Sequence, residues 1–366
     1  MSEAPKARAR ELAGQAVVAV DCNGADLGPA EVASGAAIAA HAGARTLLFG
    51  PADDLTAAVQ TAPPGMIEVV DAPVSIAKSA DPARAARMSP DASIVMAARA
   101  VAGGRAQALV CAGGTGAALA AGTFNIKRAR GIYRPALAIA LPIPRHPVTL
   151  LDVGASSEAR PEHLVQFAFM GAALAQTLLD LPCPRVGLLS NGEEAGRGSA
   201  LVIEVHEQLA RGARGAGDTF EFIGNVEGTD VVSGVADVIV TDGFTGNIAL
   251  KLMEGVSAAM LRAIRDAAMS STRAKLGGAL LRGALRSFRE EIDPESNGGA
   301  YLLGLRQLGV VPHGRFTRGG FAHAIARAER GARADIVGHT QLALERAGAL
   351  RRTPVSAQDA SLPQAQ

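Results

Sequence analysis

Six consecutive residues of this chain are well suited to chemistry: Asp242, Gly243, Phe244, Thr245, Gly246 and Asn247. An apolar run at 235–240 precedes them and a helical pattern follows. Glycine lets backbone N–H groups approach a ligand, and a helix start favours negative charge. A Gly/Thr/Asn turn between a buried strand and a helix can therefore hold an anion or a developing oxyanion. Just upstream, 223–230 reads as a glycine-rich turn with an acidic pair, Glu227 and Asp230.

Comparable polar turns begin at Asp21, Cys111, Asp152 and Ser190. The one after Cys111 contains Gly113, Gly114, Thr115 and Gly116. In an open parallel sheet such turns lie at the carboxyl ends of strands, where ligands bind. Several of them together imply a shared cleft. Lys127 and Arg134 are two cations that could hold a phosphate beside 113–116, or simply belong to a solvated loop. The loop 191–199 carries Glu193, Glu194 and Arg197 among three glycines, which suits either a presented arginine or a flexible surface loop. His313, before Gly314, follows the apolar run 308–311 and so stands at another strand end. His163 belongs to the first turn of a helix. Cys111 reads as a small buried hydrophobe rather than a nucleophile. The chain has no Walker A, no G-x-S-x-G and no H-E-x-x-H. A strict G-x-G-x-x-G is missing after the first strand. No metal or cofactor is expected.

The elements that must position these turns alternate along the chain. Strands are expected at 16–20, 46–49, 67–70, 108–111, 135–141, 148–153, 185–189 and 235–240. Helices are expected at 29–42, 92–102, 162–179 and 200–209. This rhythm predicts an α/β fold of three layers, α/β/α, around a mostly parallel sheet. With 366 residues, 48% hydrophobic, only 3% aromatic and no Trp, the core must be built from Ala, Val, Leu and Ile. A net charge of +1 gives no global field for nucleic acid. Three scattered cysteines imply reduced thiols and a cytoplasmic protein. No run reaches the ~18 apolar residues of a membrane span. We expect a flexible N-terminus at 1–14, one domain over 15–350 and a disordered tail at 351–366.

The segment 256–292 differs in kind. Leu276, Leu280, Leu281, Leu285 and Phe288 recur at helical spacing, and Lys275, Arg282, Arg286 and Arg289 return on another face. This predicts an amphipathic helical hairpin that lies on an anionic membrane, packs on a partner or forms a dimer interface.

Together these segments resemble the bacterial acyl-acyl-carrier-protein:phosphate acyltransferases of phospholipid synthesis. The matching runs are DVGA at 152–155, PEHLVQFA at 161–168, VGLL at 186–189 and IGNVEG at 223–228. They continue with ADVIVTDGFTGN at 236–247 and GGAYLLGL at 298–305, and RPALA at 134–138 and HG at 313–314 also fit. The likeness runs from about residue 17 to about residue 327. It implies a homodimer related in fold to phosphotransacetylases and to the isocitrate and isopropylmalate dehydrogenases. It implies transfer of a long acyl chain from acyl carrier protein to inorganic phosphate. The acyl phosphate would pass to a membrane glycerol-3-phosphate acyltransferase, with the hairpin as a peripheral membrane contact. The rival readings are a short-chain phosphotransacylase using acyl-CoA, and a weakly active relative that binds acyl carrier protein or membrane.

On this reading Arg197 meets phosphate or oxyanion charge. Asn247 and the N–H groups of Thr245, Gly246 and Asn247 stabilise the oxyanion. Lys127, Arg134 and His313 are further anion contacts, while Asp21, Asp26, Glu194 and Asp242 orient cations. The chain departs from the family at polar places. The first turn, usually Asp-x-Met-Gly-Gly-Asp, is DCNGAD at 21–26, and Gly114 stands for Asn. Arg197 and Ser199 lie in a segment that normally carries Lys and Asn. Ser156 replaces Asn, Thr229 replaces Arg, Asn297 replaces Tyr, and Arg315 with Phe316 replaces Ser-Ser.

Overall fold

The protein is described by a computed structural model covering residues 16–141, 143, 146–213 and 219–351. The expected flexible N-terminus and the tail beyond Arg351 lie outside the described residues. Strands and helices alternate as the apolar pattern requires. β1 (Val17–Asp21) leads to α1 (Pro29–His41), whose first residue is a proline with φ already suited to a helix. β2 (Arg45–Gly50), α2 (Ala52–Ala58) and β3 (Ile67–Asp71) follow, then α3 (Pro82–Met88) and α4 (Ser93–Ala102). β4 (Ala108–Cys111) runs into α5 (Thr115–Ala121), extended by a π-turn at Gly122–Ile126. β5 (Ala136–Leu141), β6 (Val148–Leu151), α6 (Pro161–Leu178), β7 (Arg185–Leu189) and α7 (Ala200–Ala213) complete the middle. β8 (Glu221–Val226) and β9 (Val238–Val240) precede a hairpin of two long helices, α8 (Gly243–Met269) and α9 (Thr272–Glu291). β10 (Ala300–Leu303), β11 (Leu308–Val311), α10 (Arg318–Arg333) and α11 (Ile336–Arg346) close the chain.

Among the described residues the strands form one sheet, in the order β3-β2-β1-β4-β11-β10-β5-β6-β9-β7-β8. Neighbours are parallel except at β11–β10, β10–β5 and β5–β6. Those three antiparallel pairs sit in the middle and reverse the chain direction. The strand ends at Asp21 and Cys111 therefore leave one lobe in one sense, and those at Leu151, Leu189 and Val240 leave the other lobe in the opposite sense. The lobes can meet only across the central strands.

Both faces of the sheet are covered. Along β1 and β2, Val18, Val20 and Leu48 belong to one core, and Ala19, Leu47 and Phe49 to the other. That alternation is the two-residue period of a strand buried on both sides. Small residues let the helices close in. Gly35 of α1 lies where a Cβ would come within 2.7 Å of Phe321 Cβ on α10. The same two helices are joined by Arg318, whose backbone N–H and Nε donate to Glu31 Oε1 at 2.8 and 3.1 Å and whose Nη2 donates to Oε2 at 2.8 Å. These bonds hold the Glu31 carboxyl below the usual glutamate range. The pair's contribution is complete above the unfolded value of about 4.3 and is lost as pH falls through the lower folded value. Glu31→Gln should have a lower urea midpoint than wild type at pH 7, and the two should converge in acid. A gap that stays constant with pH would count against the pair.

Two strands were not legible. Of the 223–230 stretch, expected as a turn, the first half is the end of edge strand β8, and the turn begins only at Glu227. The register with β7 passes from Val186–Phe222 to Gly187–Gly224, leaving Ile223 unpaired as a bulge. Gly224, with φ of 95°, supplies the backbone the bulge needs. β10 is four residues long and wholly buried, so it shows no alternation to read.

Candidate active site

The start of α8 is tied to β5 and to the loop after β6 through one buried carboxylate. Asp152, fully buried, accepts at Oδ1 from the N–H groups of Leu137, Gly154 and Ala155 at 2.9, 3.1 and 2.9 Å. Its Oδ2 accepts from the N–H and the Oγ–H of Ser156, both at 2.8 Å. Ser156 Oγ accepts in turn from Gly243 N–H at 3.3 Å. Burial pushes the Asp152 pKa up, and the bonds from Ala155, Leu137, Ser156 and Gly154 oppose it. So many donors around one carboxylate make it an anchor rather than a reactant.

Asp242 caps α8. Its Oδ1 accepts from Thr245 N–H at 2.9 Å and its Oδ2 from Thr245 Oγ–H at 2.7 Å. Gly246 N–H donates to the Asp242 carbonyl at 2.9 Å. The N–H groups of Thr245 and Gly246, expected to face an oxyanion, are therefore already engaged inside the cap. This corrects the expectation for those two groups. The reason is that an Asp N-cap competes for the same donors a ligand would use. The Asn247 side chain is exposed, and its amide makes no hydrogen bond among the described residues.

Asn247 lines a cavity of about 230 Å³ over the central strands. Leu137 and Ile139 of β5 and Ala300 of β10 form its apolar floor. Gly113 and Thr115 border it from the first lobe, and Val153 and α8 from the second. Gly113, at φ of 100°, packs so closely that a Cβ would lie 2.5 Å from the Gly24 carbonyl oxygen. A loop tied that tightly presents backbone, not side chain, to the cavity. His313, Gly314, Arg315 and Phe316, after β11, form another wall.

Lys251 and Glu254 of α8 also line this cavity. Residues 247, 251 and 254 share one helix face by their i, i+4, i+7 spacing. Glu254 Oε2 lies 3.0 Å from Lys251 Nζ and 3.5 Å from Arg315 Nη2. His313 Nδ1 accepts from Arg315 N–H at 3.3 Å, and its ring stacks on buried Phe316 with centroids 6.4 Å apart. His313 is exposed, yet desolvation at the cavity wall and then the charges of Arg315 and Lys251 hold its pKa below the ordinary value. The sequence marks Arg315 only as a departure from the family pattern, and it does not mark Lys251 or Glu254. The helical spacing from Asn247 would have found the latter two, but nothing local brings Arg315 to them.

Other expected residues lie elsewhere. Arg197 is exposed, sits 3.5 Å from Glu194 and is not among the residues lining the cavity. Its loop is pinned by buried Asn225, whose Nδ2 donates to the Glu194 and Arg197 carbonyls at 2.8 and 3.4 Å. Lys127 borders a separate depression with Arg128 and Arg351. Arg134 donates to the Glu158 carbonyl at 3.3 Å. Asp21 is buried, accepts from Ser93 Oγ–H at 2.6 Å and has its pKa raised by desolvation. Gly114 packs on Ala77 and Gly116 on Pro82, outside the cavity. Burial pushes the Cys111 thiol well up, which keeps it an inert core residue. His163 caps the start of α6, its Nδ1 accepting from Arg160 N–H at 3.2 Å.

The family described as "Fatty acid synthesis protein" matches residues 16–338. A phosphate acyltransferase of Nitratidesulfovibrio vulgaris (strain DP4) is 41% identical over 304 residues, covering 82% of this chain and 86% of that protein. A phosphate acyltransferase of Heliobacterium modesticaldum is 40% identical over 328 residues, covering 88% and 96%. The chain belongs to the phosphate acyltransferase family. It is thus a transferase of lipid synthesis. Its α/β/α architecture is similar to solved phosphotransacetylases. That from Staphylococcus aureus has a TM-score of 0.58 at 17% identity, covering 88% of this chain and 96% of that one. That from Streptococcus pyogenes has a TM-score of 0.57 at 16% identity, covering 94% and 100%. In this phosphate acyltransferase the cavity lies beside the 242–247 segment, with Asn247 in its lining.

Proposed function

We propose that this phosphate acyltransferase moves a long fatty acyl group from acyl carrier protein to inorganic phosphate. A phosphate oxygen attacks the thioester carbonyl, a C–O bond forms, and the C–S bond breaks. The carrier leaves as thiolate, takes up a proton from solvent, and acyl phosphate remains. A thioester already has a good leaving group, so catalysis needs positioning and a donor for the tetrahedral oxyanion more than a strong acid. The observation that carries this reading is the uncommitted Asn247 amide, held on a rigid helix start beside a cavity with cationic walls.

The test is purified protein with long-chain acyl-acyl carrier protein and phosphate, with acyl phosphate measured. Formation of product at catalytic enzyme levels supports the reading, and no product at high enzyme concentration rejects it. Turnover only with short-chain acyl-CoA would favour the soluble phosphotransacylase alternative.

The hairpin supports two further parts of the proposal. On α8 the residues Phe244, Ile248, Leu252 and Val256 form an exposed apolar stripe, which suits a second copy in a homodimer. On α9 Leu276, Leu280 and Leu281 are exposed, while Lys275, Arg282, Arg286 and Arg289 line the groove between the helices with Leu285. The hairpin spans 243–291, longer than the expected 256–292 at its start. Among the described residues no helix is long and apolar enough to cross a membrane. Peripheral contact with an anionic surface would bring the acyl phosphate to a membrane glycerol-3-phosphate acyltransferase. Replacing Leu280 and Leu281 by Ser should lower sedimentation with anionic liposomes, and unchanged binding would reject the contact. Sedimentation velocity tests the dimer; a monomer at micromolar concentration would reject it.

A further inference from the structure

We propose that Lys251, Arg315 and His313 form the seat of the phosphate co-substrate, with Glu254 fixing the two cations in place. The inference rests on acyl transfer to phosphate as the reaction, and it moves the anion site from the 191–199 loop to the loop after β11. Two cations from separate elements converge on one carboxylate, so the cluster keeps an excess positive charge. The Glu254 side chain is only 18% exposed, against 50% for Lys251 and 57% for Arg315. The carboxylate is thus the inner member, and both cations keep donors open to the cavity. Lys offers a compact charge, and Arg offers a planar fork that can take two oxygens of one anion.

His313 adds a neutral donor. Because Nδ1 accepts from Arg315 N–H, the neutral ring carries its proton on Nε2. The flanking cations and desolvation favour that neutral form. Glu254 and Asp26 act on His313 in the opposite direction but more weakly. The seat shares one cavity with Asn247, so an anion held there stands beside the group proposed to receive the oxyanion. Arg315 also explains how this chain manages without the serine pair that the family resemblance leads one to expect. A charged fork replaces two hydroxyl donors.

The same chemistry would suit the phosphodiester of a carrier's pantetheine arm, so the experiment separates the two sources. Arg315→Ala is exposed enough for the fold to tolerate, which circular dichroism verifies. Kinetics are measured with each substrate varied, and binding of inorganic phosphate is measured by calorimetry without any acyl donor. Arg315→Ala should raise the KM for phosphate on the order of tenfold to a hundredfold, as for loss of a charge-assisted contact. It should weaken phosphate binding in parallel, leave the KM for acyl carrier protein unchanged, and be partly rescued by Arg315→Lys. Unchanged phosphate KM and binding would overturn the seat. A rise in the carrier's KM alone would overturn it in favour of the phosphodiester. If wild type binds phosphate in an Arg315-dependent way but forms no acyl phosphate, the reaction is wrong and the seat stands. If turnover is normal and Arg315→Ala changes nothing, the seat alone is wrong.

Discussion

Asn247→Ala is expected to lower turnover by about 10²–10³-fold while the protein stays folded, the usual loss for one oxyanion donor. The cap leaves little choice of donor at the helix start. Thr245 N–H is committed to the Asp242 carboxylate and Gly246 N–H to the Asp242 carbonyl. The Asn247 amide has no such commitment among the described residues and borders the cavity. Removing it costs the fold little, because the side chain is exposed and Ala is the better helix former. Asn247→Asp should be worse than Ala, because a carboxylate would repel both phosphate and oxyanion. Single-turnover measurement of acyl phosphate, with circular dichroism as control, decides this. A drop of less than about threefold for both variants would remove Asn247 from the mechanism.

Gly246→Ala is expected to destabilise the fold by about 3 kcal/mol or more and to abolish turnover with it. A Cβ at this position would lie 1.9 Å from the Asp152 carbonyl oxygen and 2.9 Å from Thr241 Cγ2. Neither side can yield easily. Asp152 is held by the donors of Leu137, Gly154, Ala155 and Ser156, and α8 is held by its cap and by Ser156. The sign makes the result diagnostic, since Gly→Ala inside a helix ordinarily stabilises by roughly 0.5–1 kcal/mol. Gly255 on the same helix supplies the control, because a Cβ there meets nothing within 4 Å. Gly255→Ala should be neutral or stabilising. Urea midpoints of the two variants test the contrast, and equal midpoints would show that α8 can shift off β6.

Much of this was legible along the chain. The alternation of short apolar runs with helical patterns marks most of the strands, because strands buried on both faces must be continuously apolar. The strand-to-helix turn at 242–247 is legible because a cap needs Asp and a close approach needs Gly. Composition requires a core of small aliphatics, and the family motifs point to the reaction class. The bulged edge strand β8 and the short buried strand β10 were illegible because neither shows a clean two-residue period. Asp152 gave no sign that it anchors three backbone segments, since its donors come partly from Leu137, far away in sequence.

What the sequence by itself determined is therefore local: element types, the capped turn at 242–247 and the family to which that turn belongs. What only the tertiary structure decided is which charges share a cavity. Arg197 looked best placed by its glycines, yet its loop is pinned by Asn225 outside the cavity. Arg315 looked like a departure from the pattern, yet it meets Lys251 across Glu254. The reason is the order of the strands in the sheet. β11 stands beside the central β10, so the loop after it borders the cavity, whereas β7 stands next to the edge strand β8, and no spacing along the chain encodes that order.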